Sequence, residues 1–272
     1  GVVTTKEEAT IPTATPTIST SPSPFPSYQP SLRASTKPSL SKIPSMSPTS
    51  SPCDWPDLSQ CQKLDIDLSG LGIIGTIPVE IGNWTQLRSL NLRGSQLVGT
   101  IPTEIGLLTG LTALMLDETE LTGAIPSEIG LLTNLTSLYL QNNKHTGTIP
   151  TELGQLTLMQ QGRFEQNLLT GRIPTELGLW RNATLVTCSN NGLTGTIPTE
   201  LFTMTNMTSL VLFTNGLTGT IPTEIGLATN LISLYFHDND LSGTLPTELG
   251  MLRTIEQFHA YGNALTGTIP TE

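Results

Sequence analysis

Nine glycines spaced 24 residues apart constrain this chain more than any other feature of its sequence. No insertion or deletion interrupts the series, so every unit must have the same shape and must stack on its neighbour. Self-similarity at a fixed period of about 20–50 residues is typical of solenoids and related repeat folds. The nine positions are Gly75, Gly99, Gly123, Gly147, Gly171, Gly195, Gly219, Gly243 and Gly267.

Each unit contains two alternating segments and one helix-start signal. In residues 135–158, which read LTSLYLQNNKHTGTIPTELGQLTL, Leu138 and Leu140 flank Tyr139. This alternation predicts a short strand with the leucines inward and the tyrosine outward. The recurrent LTGTIP predicts a second, shorter strand on a side wall, with its threonines outward. The PTELG that follows predicts a brief helical turn, because proline suits the first helical position and glutamate the first turn.

An asparagine recurs three residues after the second leucine of the predicted main strand. Buried asparagine side chains can satisfy the backbone groups of a chain that bends away from a strand. We therefore expect a ladder of side-chain hydrogen bonds between successive units. The asparagine column comprises Asn143, Asn167, Asn191, Asn215, Asn239 and Asn263.

The pattern LxxLxLxxNxLTGxIPxxLGxLxx is similar to the plant-type extracellular leucine-rich repeat. Eight full units (63–254) and a partial ninth (255–272) carry this resemblance and form one predicted domain, residues 63–272. The resemblance implies an α/β solenoid wound as a right-handed superhelix, outside the cell or at its surface. The LTGTIPTE units behind the segment PSYQPS also resemble cell-surface leucine-rich repeat proteins of diatoms and related algae. Such a motif specifies a fold and leaves function to the variable positions.

The segment before the repeats has a different composition. Residues 1–52 are rich in serine, threonine and proline, and they show no apolar periodicity. A segment of this kind buries too little apolar surface to fold, so we predict a disordered, extended stalk. Its hydroxyls are candidate acceptors of O-linked glycans, and a plain linker without glycans is the alternative.

The three cysteines fall into two groups. Cys53 and Cys61, in CDWPDLSQC, predict a disulfide-bonded clasp over residues 53–62 and hence an oxidising, extracellular compartment. The clasp also resembles the N-terminal cap of the plant-type family. Cys188 instead occupies a column of leucines, so we expect it to be buried and unpaired.

Charge and hydropathy exclude several classes of partner. The formal net charge of −10 disfavours nucleic acids and anionic membranes, which both attract basic surfaces. No run of about 18 apolar residues is present, so the sequence predicts no membrane span of its own. Attachment to a membrane would then depend on sequence outside this stretch, for example before the opening GVV. Because apolar side chains in residues 255–272 have no following unit to cover them, we expect the natural chain to continue with further units or a cap.

Two columns of outward residues on the main strand carry the functional variation. Over the last three units these columns change from polar to aromatic. Neighbouring parallel strands lie about 4.8 Å apart, so the six residues should form one exposed ligand-binding patch. The alternative is that aromatic residues simply suit strands. The predicted patch comprises Val211, Phe213, Tyr235, His237, His259 and Tyr261.

Other candidate sites are weaker. A metal held by His237 and His259, with Asp238 as a third ligand, is conceivable, but we predict no metal and no cofactor. His145 replaces a leucine and suggests a packing irregularity. The glutamates of the PTE motif form a ridge of identical carboxylates, whereas acid–base catalysis needs unlike groups in a pocket, so we predict no catalytic site and no enzyme. Four Asn-x-Ser/Thr sequons predict N-glycosylation at Asn83, Asn134, Asn182 and Asn206, the last three in a column that we expect to be partly hidden.

Three functions are compatible with these features. The leading hypothesis is a non-catalytic extracellular recognition module, receptor-like or adhesive, that binds a protein, peptide or glycan on its concave face. A second is ice binding through outward Thr-x-Thr pairs on the side strand, and a third is a structural component of the cell wall or surface. The threonine pairs are Thr146/Thr148, Thr194/Thr196, Thr218/Thr220 and Thr266/Thr268.

Overall fold

The computed structural model describes residues 64–270, in which each unit contributes one strand to a nine-stranded parallel sheet. Strand order follows chain order, and the register joins residues 24 positions apart, as in the pair Leu90 and Leu114. We call this the main sheet. Its strands are Asp65–Asp67, Ser89–Asn91, Ala113–Met115, Ser137–Tyr139, Gln161–Arg163, Leu185–Thr187, Ser209–Val211, Ser233–Tyr235 and Gln257–His259.

The second strand of each unit forms a side wall, as the sequence predicts. Four of these strands pair in one parallel sheet and five in another, and we refer to both together as the side sheets. The first side sheet comprises Ile74–Gly75, Gln96–Gly99, Glu120–Ala124 and Lys144–Thr146. The second comprises Thr170–Arg172, Gly192–Gly195, Gly216–Gly219, Asp240–Thr244 and Ala264–Thr266.

The helical turns are five-residue 3₁₀ helices. The proline was predicted at the first helical position, but it lies one residue earlier. Pro150, for example, has extended backbone (φ −64°, ψ 137°) and the helix begins at Thr151. Its acidic first-turn residue, Glu152, lies where the sequence places it. The helices are Val79–Asn83, Thr103–Leu107, Ser127–Leu131, Thr151–Gln155, Thr175–Leu179, Thr199–Thr203, Thr223–Leu227 and Thr247–Met251.

A glycine inside most of these 3₁₀ helices lets successive helices approach closely. A Cβ atom built on Gly130 would lie 2.4 Å from the carbonyl oxygen of Glu152 in the next unit. Real Cβ atoms essentially never come this close to a backbone oxygen. The glycine of the PTEIG motif therefore sets the spacing between neighbouring helices.

One continuous core runs between the two walls. In a typical unit Leu114 and Leu116 point inward from the main strand, Leu121 from the side strand and Ile129 from the 3₁₀ helix, and none of them is exposed. Burying a side chain of this size contributes about 1.5–3 kcal/mol. Repetition of this set in every unit makes the hydrophobic contribution additive along the chain.

The predicted asparagine ladder is confirmed. Asn143 donates from Nδ2 to the carbonyl oxygens of Leu116 (2.8 Å) and Leu140 (3.2 Å), and its Oδ1 accepts from the backbone of Leu121 (3.0 Å). One side chain thus satisfies backbone groups of its own unit and of the preceding unit. The same bonds recur at Asn167, Asn191, Asn215, Asn239 and Asn263.

A left-handed residue follows every main strand, and this feature was not predicted. Asn142 has a φ of 56°, and in this conformation its backbone N–H donates to the carbonyl oxygen of Glu165 in the next unit (3.0 Å). The same column holds Thr214, whose branched Cβ is poorly suited to this region (φ 53°). These backbone hydrogen bonds between units therefore hold non-glycine residues in an unfavourable backbone conformation.

Two polar residues replace leucines in the core. Cys188 is buried and free, which confirms the prediction, and burial raises the pKa of its thiol. His145 is also fully buried, with Nδ1 3.4 Å from the carbonyl oxygen of Gly123 and no hydrogen-bond partner for Nε2. Burial lowers the pKa of His145, so the ring is neutral in the folded protein.

Several predictions concern residues beyond the described range. The stalk of residues 1–52 and the Cys53–Cys61 clasp of residues 53–62 lie outside residues 64–270. Within that range, no helix has the length and apolar character that crossing a bilayer requires.

Three substitutions in the middle of the core compensate one another. Gly162 occupies an inward position that is leucine in most units, and a Cβ atom there would lie 2.5 Å from Cζ3 of Trp180. The indole of Trp180 fills the vacated space, donates to the carbonyl oxygen of Leu153 (2.7 Å) and stacks on Phe164 with ring centroids 6.4 Å apart. The large side chain of Trp180 therefore compensates for the absence of a side chain at Gly162.

This packing predicts strong coupling between positions 162 and 180. Gly162→Leu alone overpacks the core and should cost about 1–3 kcal/mol of unfolding free energy. The double variant Gly162→Leu/Trp180→Leu restores the leucines found in other units, so it should be at least about 1 kcal/mol more stable than the sum of the single changes. Urea unfolding of the four proteins measures the coupling. Additive effects would show that Trp180 does not occupy the space above Gly162.

Candidate ligand-binding face of the main sheet

The outward face of the main sheet carries three columns of side chains. Along one strand, Leu234 points into the core while Ser233 and Tyr235 point outward, and His237 follows beyond the strand. The column that contains Ser233 and Gln257 lies on the same face and was not considered in the sequence prediction. The alternation of the strand is the signal that identifies it, because residues two apart share a face.

Five aromatic rings from three successive units come together on this face. His237 stacks on Phe213 (centroids 4.5 Å apart, planes 9° apart) and on Tyr261 (4.5 Å, 22°). His259 lies 4.6 Å from Tyr235 and 5.6 Å from His237. We call Phe213, Tyr235, His237, His259 and Tyr261 the ring cluster. The structure thus brings together the aromatic members of the predicted patch.

The prediction that all six patch residues are exposed is wrong for three of them. Val211, Tyr235 and His237 are each less than one-tenth exposed, whereas Tyr261 is 63% exposed. The reason is lateral packing, because a long side chain in every unit covers its neighbours along the column. The Tyr235 hydroxyl also donates to the side-chain oxygen of Gln257. The accessible part of the cluster is therefore Tyr261 and His259.

His237 is the electrostatic centre of the ring cluster. Rings cover both of its faces, and its Nδ1 is buried without a hydrogen-bond partner. Burial lowers the pKa of His237, nearby His259 lowers it further, and Asp238, 4.0 Å from Nε2, opposes both. A neutral imidazole held between two aromatic rings forms a rigid apolar surface with unused hydrogen-bonding capacity.

The other half of the face is polar and partly buried. Asp117 is fully buried and lies 3.2 Å from Nε of Arg93, which also pairs with Glu118 at 2.7 Å. Burial raises the pKa of Asp117 to about 6, although the positive charge of Arg93 opposes the shift. A carboxylate kept in such surroundings is costly to the fold.

A second group of polar contacts separates Asp117 from the ring cluster. The guanidinium carbon of Arg163 lies 5.2 Å from the ring centre of Tyr139, whose hydroxyl donates to Gln161. Glu165 accepts from the hydroxyl of Thr187, and burial raises the pKa of Glu165. Sequence reasoning placed Tyr139, Arg163, Glu165 and Thr187 on the outward face but did not consider Gln161, and it did not foresee that these side chains bury one another.

The metal site considered in the sequence analysis, with His237, His259 and Asp238 as ligands, is not assembled in the structure. Although His237 and His259 are close, residues 64–270 contain no group of three or more histidine, cysteine, aspartate or glutamate side chains arranged around one point.

The side sheets present a regular threonine surface. Thr194 donates to the carbonyl oxygen of Gly171 (3.4 Å), Thr218 to that of Gly195 (3.4 Å) and Thr266 to that of Gly243 (3.3 Å), so one hydroxyl in each of these three pairs is used internally. The second threonine of each pair, such as Thr196, is exposed, and its methyl packs beneath the next glycine. Ala124 and Arg172 interrupt this exposed column.

All four sequon asparagines are exposed, so the expectation that three of them are partly hidden is wrong. Asn134, Asn182 and Asn206 lie at the turn before the main strand, whereas Asn83 is the last residue of the first 3₁₀ helix. Two of them are held by the preceding unit. Asn134 donates from Nδ2 to the carbonyl oxygen of Thr109 (2.9 Å) and Asn206 to that of Arg181 (3.1 Å).

Comparisons with known proteins agree with this architecture. A family profile described as "Leucine-rich repeat region" matches residues 45–179, and one described as "Leucine Rich Repeat" matches residues 230–252. A comparison with curated proteins found no match.

Among solved structures, the chain is similar to the plant peptide hormone receptor RGFR1 in complex with RGF2, with 38% identity and a TM-score of 0.74 over 76% of this chain and 33% of that one. It is similar to the ectodomain of the Arabidopsis thaliana membrane receptor kinase GASSHO1/SCHENGEN3 in complex with CASPARIAN STRIP INTEGRITY FACTOR 2, with 34% identity and a TM-score of 0.75 over 80% and 30%. It is also similar to a plant ice-binding protein, with 29% identity and a TM-score of 0.57 over 76% and 74%. The chain thus spans about a third of the receptor chains that it matches.

The burial of Asp117 predicts a pH-dependent cost. Its pKa is higher in the folded protein (about 6) than its ordinary value of 3.8, so the folded protein binds the proton more tightly and stability falls as pH rises from 3.8 to 6. The shift corresponds to at most about 3 kcal/mol. Asp117→Asn should therefore raise the melting temperature at pH 7.5 and leave it nearly unchanged at pH 3.5.

Asp67→Asn is the matched control for this prediction. Asp67 is exposed and its pKa is lowered, chiefly by hydrogen bonds to Ser69, so its substitution should give no gain at pH 7.5. An Asp117→Asn variant that is equally or less stable at pH 7.5 would show that Arg93 compensates the buried charge in full.

Proposed function

We propose that this chain, a leucine-rich repeat protein of the plant-receptor type, is an extracellular, non-catalytic module that binds a peptide or a protein segment on the outward face of its main sheet. The observation that carries the proposal is the ring cluster. It forms a rigid aromatic surface in the outward columns of the main sheet, where the side chains vary from unit to unit. Aromatic side chains that are fixed by packing before binding lose little entropy on binding, and they dominate the energetics of interfaces.

The similar structures support this class of ligand. Two of them are a plant peptide hormone receptor and a receptor-kinase ectodomain, each in complex with a second factor. This chain spans only about a third of their length, so a shared ligand or a shared signalling role does not follow from the likeness. The variable outward positions would determine which peptide is recognised.

The geometry favours a peptide or protein over a glycan. Sugars bind aromatic residues through exposed ring faces, whereas both faces of His237 are covered by Phe213 and Tyr261. What the cluster offers to a ligand is the exposed Tyr261 and the exposed His259, since Nδ1 of His237 is buried. An apolar side chain flanked by backbone hydrogen-bonding groups would match this combination.

Removal of the accessible anchor Tyr261 should weaken this binding. We expect linear peptides selected from a random phage-displayed library on the full chain to lose about 30-fold in affinity with Tyr261→Ala. This loss corresponds to about 2 kcal/mol, as is typical of an aromatic hot spot. His259→Ala should lose less affinity, because we expect the ring of His259 to contact the peptide through one edge only. Fluorescence polarisation of the selected peptides measures both changes.

Tyr139→Ala is the matched control. Tyr139 lies in the same outward column of the main sheet but five units before His259 and outside the ring cluster. Its substitution should leave the affinity of the selected peptides unchanged. Equal losses in the Tyr139 and Tyr261 variants, or no loss in either, would exclude the ring cluster as the binding site.

Ice binding is a second candidate, supported by the threonine surface of the side sheets and by the likeness to a plant ice-binding protein. We expect that, if this activity exists, the full chain shows thermal hysteresis and Thr220→Lys removes it, because a long charged side chain would stand out from the middle of the exposed column. Tyr261→Ala should leave it intact, since the ring cluster lies on the other sheet. A chain without thermal hysteresis rules out this candidate and leaves peptide binding unaffected.

A further inference from the structure

A groove lies at the edge where the last main strands begin, away from the ring cluster. Its volume is about 600 Å³, and residues from three successive units line it. Asn206 stands at one side, Ile232 and Asn230 come from the next unit, and Arg253 and Glu256 come from the unit after that. The peptide-binding proposal does not use this groove.

We propose that Asn206 carries an N-linked glycan whose first N-acetylglucosamine occupies this groove. Asn206, Met207 and Thr208 form a sequon, and Asn206 is exposed. The donor would be a lipid-linked oligosaccharide diphosphate in the secretory pathway. The bond between C1 of the sugar and the phosphate oxygen breaks, the bond between C1 and Nδ2 forms, the amide loses one proton, and the lipid diphosphate leaves.

The orientation of the Asn206 amide directs the sugar toward the groove. Nδ2 uses one hydrogen to donate to the carbonyl oxygen of Arg181 in the preceding unit (3.1 Å). In a planar amide the second hydrogen, which the sugar replaces, points away from the first. A sugar on that second position diverges from the carbonyl oxygen of Arg181, and the groove that the two following units line lies beside Asn206 to receive it.

The groove is chemically suited to an N-acetylated sugar. Ile232 is 40% exposed and offers an apolar floor for the acetyl methyl group and the C–H face of the ring. Asn230 lines the groove and donates from Nδ2 to the carbonyl oxygen of Thr205 (2.7 Å), and its Oδ1 can accept from a sugar hydroxyl or from the acetamido N–H. Arg253 and Glu256 make no ion pair within residues 64–270, and they can bind sugar hydroxyls. Burial of the exposed part of Ile232 would fix the sugar in place.

Asn134 provides a matched sequon in the same chain. Its Nδ2 makes the equivalent bond to the preceding unit, to the carbonyl oxygen of Thr109 (2.9 Å). Gln160, however, stands where Ile232 stands beside Asn206. Both residues are exposed, and both donate their backbone N–H to a threonine carbonyl of the preceding unit (2.8 Å). The two sites also differ in that Leu158 stands in the place of Asn230 and Thr184 in the place of Glu256, so the effect of the floor residue is isolated only by exchanging it within one site.

Enzymatic release of the glycans tests the proposal. The full chain is secreted from a eukaryotic host behind a signal sequence and treated, while folded, with a peptide N-glycanase. Peptide mass spectrometry follows the occupancy of Asn206 and Asn134 over time. We expect release at Asn206 to be at least about tenfold slower than at Asn134. In the denatured chain the two rates should be equal.

An exchange of the two floor residues makes the test specific. Ile232→Gln should bring the release rate at Asn206 up at least tenfold, and Gln160→Ile should slow release at Asn134. Both side chains are exposed, so circular dichroism should show an unchanged fold. The proposal is overturned if Asn206 carries no glycan, if its release in the folded chain is as fast as in the denatured chain, or if Ile232→Gln leaves the rate unchanged. Because both positions lie outside the ring cluster, a negative result leaves peptide binding intact.

Discussion

The structure depends on hydrogen bonds between units of identical length. Each main strand pairs in parallel with the next, and each of its residues lies opposite the residue 24 positions further along the chain. Each ladder asparagine satisfies backbone groups of two units at once. A single inserted residue would move the inward side chains of a strand to its outward face, so the register tolerates no change in length. The left-handed backbone after each strand belongs to the same constraint, since it delivers an N–H to the next unit even at Thr214, where the conformation is unfavourable.

Because the backbone hydrogen bonds and the core hold the fold, the outward positions can accommodate destabilising groups, such as buried polar atoms, that the core would not tolerate. Asp117 is buried with a raised pKa, and Nδ1 of His237 is buried without a partner, both on the outward face of the main sheet. Neither group contributes to the ladder that holds the units together. Ionisable groups kept under such strain concentrate at functional sites, although ion-pair networks can also produce them. Their position beside variable rings is consistent with a recognition surface.

The repeat period predicted the architecture almost completely, because one unit determines all the others. Columns of leucine and asparagine specified the core and the ladder, and both are where the sequence places them. The sequence did not predict contacts between side chains that vary from unit to unit. Trp180 fills the space above Gly162, Gln257 accepts from Tyr235, and Phe213 and Tyr261 cover His237. Each of these contacts joins residues 18 to 24 positions apart, so the alternation within one strand does not show that they bury each other.

The two outward surfaces differ in the kind of ligand that they suit. On the side sheets nearly the same residue recurs in each unit, so the surface offers one contact repeated at the strand spacing of about 4.8 Å. Such a surface matches a ligand with its own regular repeat. On the main sheet each unit offers a different side chain, and a ligand bound there must itself be aperiodic, as a peptide is. Because different strands of the same unit carry the two surfaces, a change that improves one leaves the other unaltered.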